Sequence, residues 1–198
     1  SESFIHIALS NINYNYYSRK ELYLSSKKVA SSHKQILYPE HFFTYRDSIE
    51  LNDNTLKNYY TYYQFINRYL DNLADDGHKK QKTFFNKTSY EHQTQKLRLI
   101  DSLITNKQLH DNLLHNTVKR YLVHADDSQK EHDLVALFKK LDHNEAHQKE
   151  VERYAHNTAK INAGELIPNL ALITANNEIT SLQKINASKT VFFFWNSK

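Results

Sequence analysis

Twelve histidines in 198 residues raise the question of a metal site first. His143 and His147 stand four apart on a predicted helix, so both imidazoles could share one face, and His156 lies further along it. A zinc ion would need a third ligand and partners that fix the ring tautomers. The sequence offers neither a His-Glu-x-x-His motif nor any cysteine, and the neighbours of these histidines are Asn, Gln, Glu and Lys. That surrounding is a solvated helix face, so no metal and no other cofactor is expected. His110, His115 and His124 do not share one face and read as surface or boundary residues.

Other chemistries find less support. Asp47, Glu50, Asp53, Asp75 and Asp76 offer carboxylates, but no pairing in sequence marks a glycosidase. Serines are numerous, yet no Gly-x-Ser-x-Gly elbow is present, and two glycines cannot build a phosphate-cradling loop. Zero cysteines exclude thiol and disulfide chemistry within these residues. The tyrosines of "NYYTYYQFINRYL" could form a sugar or peptide platform. Aromatic residues at helical spacing are more often core, with their hydroxyls reaching the surface. No catalytic residue is assigned to the chain.

Composition limits the architecture that could carry any site. Two glycines and two prolines fit long helices better than a turn-rich β fold. Net charge is +4, with lysine and glutamate interspersed, so no nucleic-acid stripe is expected. No apolar run approaches the ~20 residues of a membrane span. The expected fold class is mainly α, a bundle of helical hairpins over residues 1–162, followed at 163–198 by the first strands of an α/β domain. Ser1 already stands within a helical pattern, so the front end reads as trimmed.

Within the helical part, Phe4, Ile5, Ala8, Leu9, Ile12 and Tyr16 fall at helical spacing. Leu24 to Leu37 is Ser/Lys-rich and reads as loop or poor helix. Pro39 is expected to open a short helix through Ile49. In the stretch 53–77, Leu56, Tyr59, Tyr60, Tyr63, Ile66, Leu70 and Leu73 follow one face, with Gly77 as a stop. Two helices follow, the second capped by Asn106. Ser128 with Glu131, and Asp142 with Glu145, have capping-box spacing at the starts of two more. The last four helices are expected as two hairpins.

The pattern changes at Gly164. Ile167 to Ile173 alternate as a strand would, Asn176-Asn177 signals a turn, and "EITSL" returns as a second strand. Val191 to Trp195 is a run of five large apolar residues, which reads as a central strand covered on both faces. A central strand needs neighbours on both sides, so the sequence is expected to be a fragment.

The segment "IPNLALITANNEITSLQKINASKTVFFFW" resembles the opening of TlpA/ResA-like thioredoxin-fold proteins of the bacterial cell envelope. Gly164, Pro168, Asn176, Asn177, Ser181, Leu182, Lys189, Phe194 and Trp195 stand where that family has its Gly, Pro, polar turn, short strand, Lys and Phe-Trp. "YRDSIELNDNTLKNYYTYYQFINRYLDNLA" is similar to the helical segment that precedes the thioredoxin fold in some members. The resemblance implies a periplasmic or outer-membrane-associated protein with a protein substrate or an envelope protein partner. No nucleic acid is implied, and a lipid anchor upstream is compatible. It also places the family's Cys-x-x-Cys loop next to Trp195, Asn196, Ser197 and Lys198. Lys198 stands where the family often has a second Trp. A lysine there could lower a neighbouring thiol's pKa, or it could mark a redox-inactive member. The alternatives are a thiol–disulfide oxidoreductase whose redox loop lies past Lys198, and a helical binding or scaffold module of an envelope complex. The 198 residues alone are expected to be inactive as an oxidoreductase.

Overall fold

A computed structural model describes residues 2–31, 37–79, 86–125, 127–158, 169 and 171–184. The described part is mainly helical: α1 (Glu2–Ser31), α2 (Tyr60–Lys79), α3 (Tyr90–Leu103), α4 (Lys107–His124), α5 (Ser128–Leu141) and α6 (Glu145–Thr158). A short 3-10 helix spans Thr44–Ser48. Two short strands, β1 (Ala171–Ile173) and β2 (Ile179–Ser181), make the one sheet among the described residues. The chain divides into two compact units, Ser1–Ala159 and Lys160–Lys198.

The core of the first unit is built mostly from α2, α3 and α4. Phe65, Ile66 and Leu70 of α2, Leu97 and Ile100 of α3, and Leu113, Leu114 and Val118 of α4 are fully buried. Leu134 and Phe138 of α5 and Val151 of α6 close the same cluster. These positions recur at three- and four-residue steps, which puts each set on one helix face. Full burial of each large side chain is worth about 1.5–3 kcal/mol, so this cluster is the main source of stability.

The α2 face differs from the one expected. Leu56 lies in a turn before the helix, Tyr60 is 71% exposed, and the buried set is Tyr62, Phe65, Ile66 and Leu70. Tyr62 is buried because its hydroxyl has work to do. It donates to the carbonyl of Glu50 at 2.7 Å and accepts from the amide of Asp53 at 3.1 Å. The helix also runs through Gly77 to Lys79, since a single glycine costs only ~1 kcal/mol inside a helix. The residues after Pro39 form turns and the 3-10 helix, not an α-helix.

Caps were legible to within a residue or two. Asn106 caps α4, accepting from the Leu109 amide at 3.1 Å, and Ser89 caps α3 in the same way. The two expected capping boxes do not form. Asp127, not Ser128, caps α5, accepting from the amides of Gln129 and Lys130. Asn144, not Asp142, accepts from the amides of Ala146 and His147 at the start of α6. In each case a neighbouring Asp or Asn, itself a preferred capping residue, takes the cap position in place of the residue at box spacing.

Helix α1 departs furthest from expectation. It continues through the Ser/Lys-rich stretch to Ser31, where a loop or poor helix was expected. Leu24 and Ser25 are buried there, and Lys28 Nζ lies 2.5 Å from the Asp75 carboxylate of α2. Tertiary contacts thus override weak local propensity. The second departure is orientation. Phe4, Ile5, Leu9, Ile12 and Tyr16 are all more than half exposed, whereas the buried set includes Tyr14, Ser18, Glu21, Leu24 and Ser25. The packed face of α1 is therefore largely polar, and its aliphatic stripe faces out.

The second unit is described only at its hairpin. β1 and β2 pair antiparallel, with Ala171 opposite Ser181 and Ile173 opposite Ile179. Asn177 has φ of 61°, the left-handed conformation that asparagine tolerates in a tight turn. Of the expected strand 167–173, Ala171–Ile173 is strand and residues 167, 168 and 170 lie outside the described residues, while Leu182 opens a 3-10 turn instead of ending "EITSL" as strand. Gly164, Pro168, Lys189 and the run Val191 to Trp195 lie outside the described residues.

Candidate functional site

The polar inner face of α1 meets α2 and the 3-10 helix in a buried network. Glu21 is fully buried. Arg46 binds its carboxylate with two nitrogens, Nε at 2.9 Å and Nη2 at 2.8 Å. The Tyr45 hydroxyl and the Asn72 amide also donate to it. Burial, then the hydrogen bond to Glu21, push the Tyr45 hydroxyl well above the usual tyrosine range. Further up the helix, Ser18 accepts from Arg68 at 2.8 Å, and Asn11 accepts from Thr61. A bidentate arginine–carboxylate pair is the strongest device in this set.

A second network lies between α2, α3 and α4. The Asp71 carboxylate meets Lys96 Nζ at 2.5 Å, His92 Nε2 at 3.5 Å, Lys87 Nζ at 3.7 Å and Arg120 Nη1 at 3.8 Å. Burial alone would raise the Asp71 carboxyl. Lys96, His92 and Lys87 outweigh it and hold the group well below the usual carboxylate range. Lys96 is itself buried and also donates to Asn67 at 2.7 Å. Burial pulls its ammonium down, against the attraction of Asp71. Perturbed groups of this kind mark active sites only when a cleft gives a substrate access to them. Here the two central groups are closed in by the helices, and their role is to fix how α2, α3 and α4 pack.

The histidines sort differently from the sequence expectation. His143 lies before α6, so it does not share a helix face with His147. His147 Nδ1 is 2.9 Å from the buried Asp142 carboxylate, and its ring stacks on His115 at 4.4 Å and 11°. His115 Nε2 lies 3.2 Å from Glu150, which also takes Lys119 at 2.7 Å. His156 is exposed on α6, beside a cleft of about 350 Å³ shared with His132, Glu131 and Glu152. Among the described residues no three of His, Asp and Glu are placed to hold a metal ion. Of the other histidines, His110 is half-buried next to Asp111, and His124 is exposed.

The stacked pair has a pH consequence. Burial first, and then the neighbouring His147, lower the His115 pKa below its ordinary value. Glu150 and Asp142 oppose this, and Lys119 adds to it. A histidine whose folded pKa is depressed takes up its proton more readily when unfolded. Its contribution is therefore fully present above the unfolded value near 6.5 and is lost as pH falls below it. The melting temperature is expected to fall between about pH 7.5 and 5.5, and to fall less in His115→Phe. Parallel melting curves for the two proteins would remove this assignment.

Of the carboxylates singled out from sequence, Asp47, Glu50, Asp53 and Asp75 are not gathered into one centre, and the Asp76 side chain lies outside the described ones. Asp53 closes a turn by accepting from the amide and hydroxyl of Thr55, and faces His6 at 3.1 Å. Asp75 pairs with Lys28, Asp47 is exposed, and Glu50 contributes its backbone to Tyr14 and Tyr62. A cleft of about 650 Å³ is lined mainly by amides and lysines, including Asn52, Asn54, Lys57, Asn106 and Lys107. Its asparagines already bind one another and the backbone before α4. Trp195, Asn196, Ser197 and Lys198, expected beside a redox loop, lie outside the described residues.

Set against models of protein families, curated proteins and solved structures, the chain matches none. Among the described helices none is long and apolar enough to cross a membrane. What the geometry offers on the surface is the outward stripe of α1. Ile5, Leu9, Ile12 and Tyr16 are 57%, 56%, 67% and 59% exposed. Single exposed apolar residues are ordinary, but a contiguous row of them marks a contact surface. The row is visible in the sequence by its helical spacing, which does not say which way it faces.

Proposed function

We propose that the helical unit is a protein-binding module of a cell-envelope protein, with the outward face of α1 as its contact surface. The observation that carries this reading is the inverted helix. The polar face of α1 is held inward by Glu21, Ser18 and Lys28, which leaves the aliphatic stripe for a partner. The buried ionic groups are enclosed, and the asparagines of the 650 Å³ cleft already bind one another and the backbone. Both facts favour binding over catalysis. At a concentration where the chain is monomeric, a hydrophobic dye such as anilinonaphthalene sulfonate should bind the native chain, and Ile12→Glu should abolish that binding without changing the melting temperature. Absence of dye binding to a monomeric native chain would contradict the reading.

A second reading draws on the hairpin. The polar turn at Asn176–Asn177 between β1 and β2 suits the opening of the thioredoxin-like domain that the sequence resembles. On this reading thiol–disulfide exchange belongs to a Cys-x-x-Cys loop after Lys198. A thiolate there would attack a substrate disulfide, and the second cysteine would resolve the mixed disulfide. The 198-residue chain has no thiol and should not reduce insulin above a buffer blank. Insulin reduction by the natural full-length product, lost on alkylation, would support this role, and its absence would leave only the binding module.

A further inference from the structure

The stripe on α1 has a period and an order of charges that select one partner. Glu2, Ile5, Leu9, Ile12, Tyr16 and Arg19 follow steps of three and four, the heptad spacing of a coiled-coil seam. Between Glu2 and Arg19 the helix carries no Asp, Glu, Lys or Arg. The seam therefore has an acidic first layer, four large apolar layers and a basic last layer.

We propose that this face pairs with the same face of a second copy of the chain, the two α1 helices running antiparallel. In that register Ile5 meets Tyr16 of the second copy, Leu9 meets Ile12, and Glu2 meets Arg19. Each apolar layer is filled, and both ends close with an opposite-charge pair. A parallel pair would instead set Glu2 against Glu2 and Arg19 against Arg19, which costs stability at both ends. Antiparallel order also opposes the two helix dipoles. The contact closes on a two-fold axis between Leu9 and Ile12, as a self-complementary patch must.

The surroundings argue against a lipid surface as the occupant. Membrane-lying helices carry Lys and Arg along an exposed polar face. Here the polar face of α1 is packed on α2, and the flanking exposed residues, Ser3, Phe4, His6, Asn11, Asn13 and Asn15, include no Lys or Arg. The seam spans residues 2 to 19, about 26 Å of helix at ~1.5 Å per residue. One helix pair of that length is a small contact beside the ~800 Å² per partner of a standard interface, so the dimer is expected to form in the micromolar range, not as an obligate assembly.

This inference rests on the reading of α1 as a contact surface, and the experiment separates the two. Sedimentation of the full chain from about 1 to 200 µM should show a monomer–dimer equilibrium. Ile12→Glu should weaken it by about 100-fold or more, because a carboxylate enters both central layers. Orientation is read by cross-linking, which the absence of native cysteines makes clean. Under mild oxidation, Ile5→Cys mixed with Tyr16→Cys should give the mixed disulfide dimer. Ile5→Cys alone should not, since its two copies stand about 16 Å apart along the antiparallel pair. A dimer that Ile12→Glu leaves intact, or efficient cross-linking of Ile5→Cys to itself, overturns the proposal. So does a chain that stays monomeric. In that last case dye binding sensitive to Ile12→Glu leaves the contact surface standing for another partner, and its absence removes both readings.

Discussion

Asp71→Ala is expected to remove about 3–5 kcal/mol of stability, one of the two largest losses from a single substitution in this chain. The variant would leave Lys96 buried with its charge uncompensated, and only the Asn67 carbonyl oxygen within reach. Two further cations, Lys87 and Arg120, then face the same cavity, so repulsion adds to the desolvation of the ammonium. Domains of this size are usually stable by about 5–15 kcal/mol, so the variant should be partly unfolded at 37 °C. Urea denaturation followed by circular dichroism measures the loss. Asp71→Leu combined with Lys96→Met should recover most of it, because an apolar pair of similar volume removes both desolvation costs. If the single variant is as stable as the parent, the network is not what locks α2 to α3.

The same carboxylate predicts an acid limb. Its folded pKa lies below the usual value despite burial, because Lys96, His92 and Lys87 favour the charged form. A depressed carboxylate pKa gives stability that is present above the unfolded value near 3.9 and is lost as pH falls below it. Stability should therefore drop between about pH 4 and pH 2, and the drop should be shallower in Asp71→Asn.

Periodicity disclosed the helices but could not say which side of each one packs. For α3 and α4 the apolar side is the inner side, and Leu97, Ile100, Leu109 and Leu113 are buried as their spacing implies. In α1 two seven-residue patterns coexist on opposite faces. One runs through Ile5, Leu9, Ile12 and Tyr16, and the other through Tyr14, Ser18, Glu21, Ser25 and Lys28. Hydrophobicity favours the first as the core, and the structure buries the second. The deciding partners are distant in sequence. Arg46, Arg68, Asn72 and Asp75 supply hydrogen bonds or charges to that face, and no local window contains them. The histidines failed in a similar way. The His147 ring is placed by His115 on another helix, so spacing within α6 alone could not find the pair. A polar heptad with an uncharged apolar one opposite it was the available signal, and it points to a helix used on both sides.

Glu21→Leu tests that inversion directly, and it is expected to destabilise by about 3 kcal/mol or more. On an ordinary amphipathic helix, leucine at a buried position would be harmless or better. Here the Glu21 carboxylate accepts from Tyr45, Arg46 and Asn72. Removing it leaves three donors in a closed space, and each buried donor left without an acceptor costs about 1–3 kcal/mol. Part of the Arg46 share is recovered by water, because that side chain reaches the surface. Next to it on the same helix, Leu22 is nearly half exposed, and Leu22→Ser should change stability by no more than about 0.5 kcal/mol. The pair reverses the usual ranking, in which losing a leucine hurts and losing a surface glutamate does not. Measured in urea at a concentration where the chain is monomeric, the two values should differ by about 2 kcal/mol or more in favour of Leu22→Ser. Equal losses, or a larger one at Leu22, would mean that α1 does not pack through its Glu21 face. The polar network and the antiparallel pairing would both be wrong in that case, since one rotation of the helix sets them together.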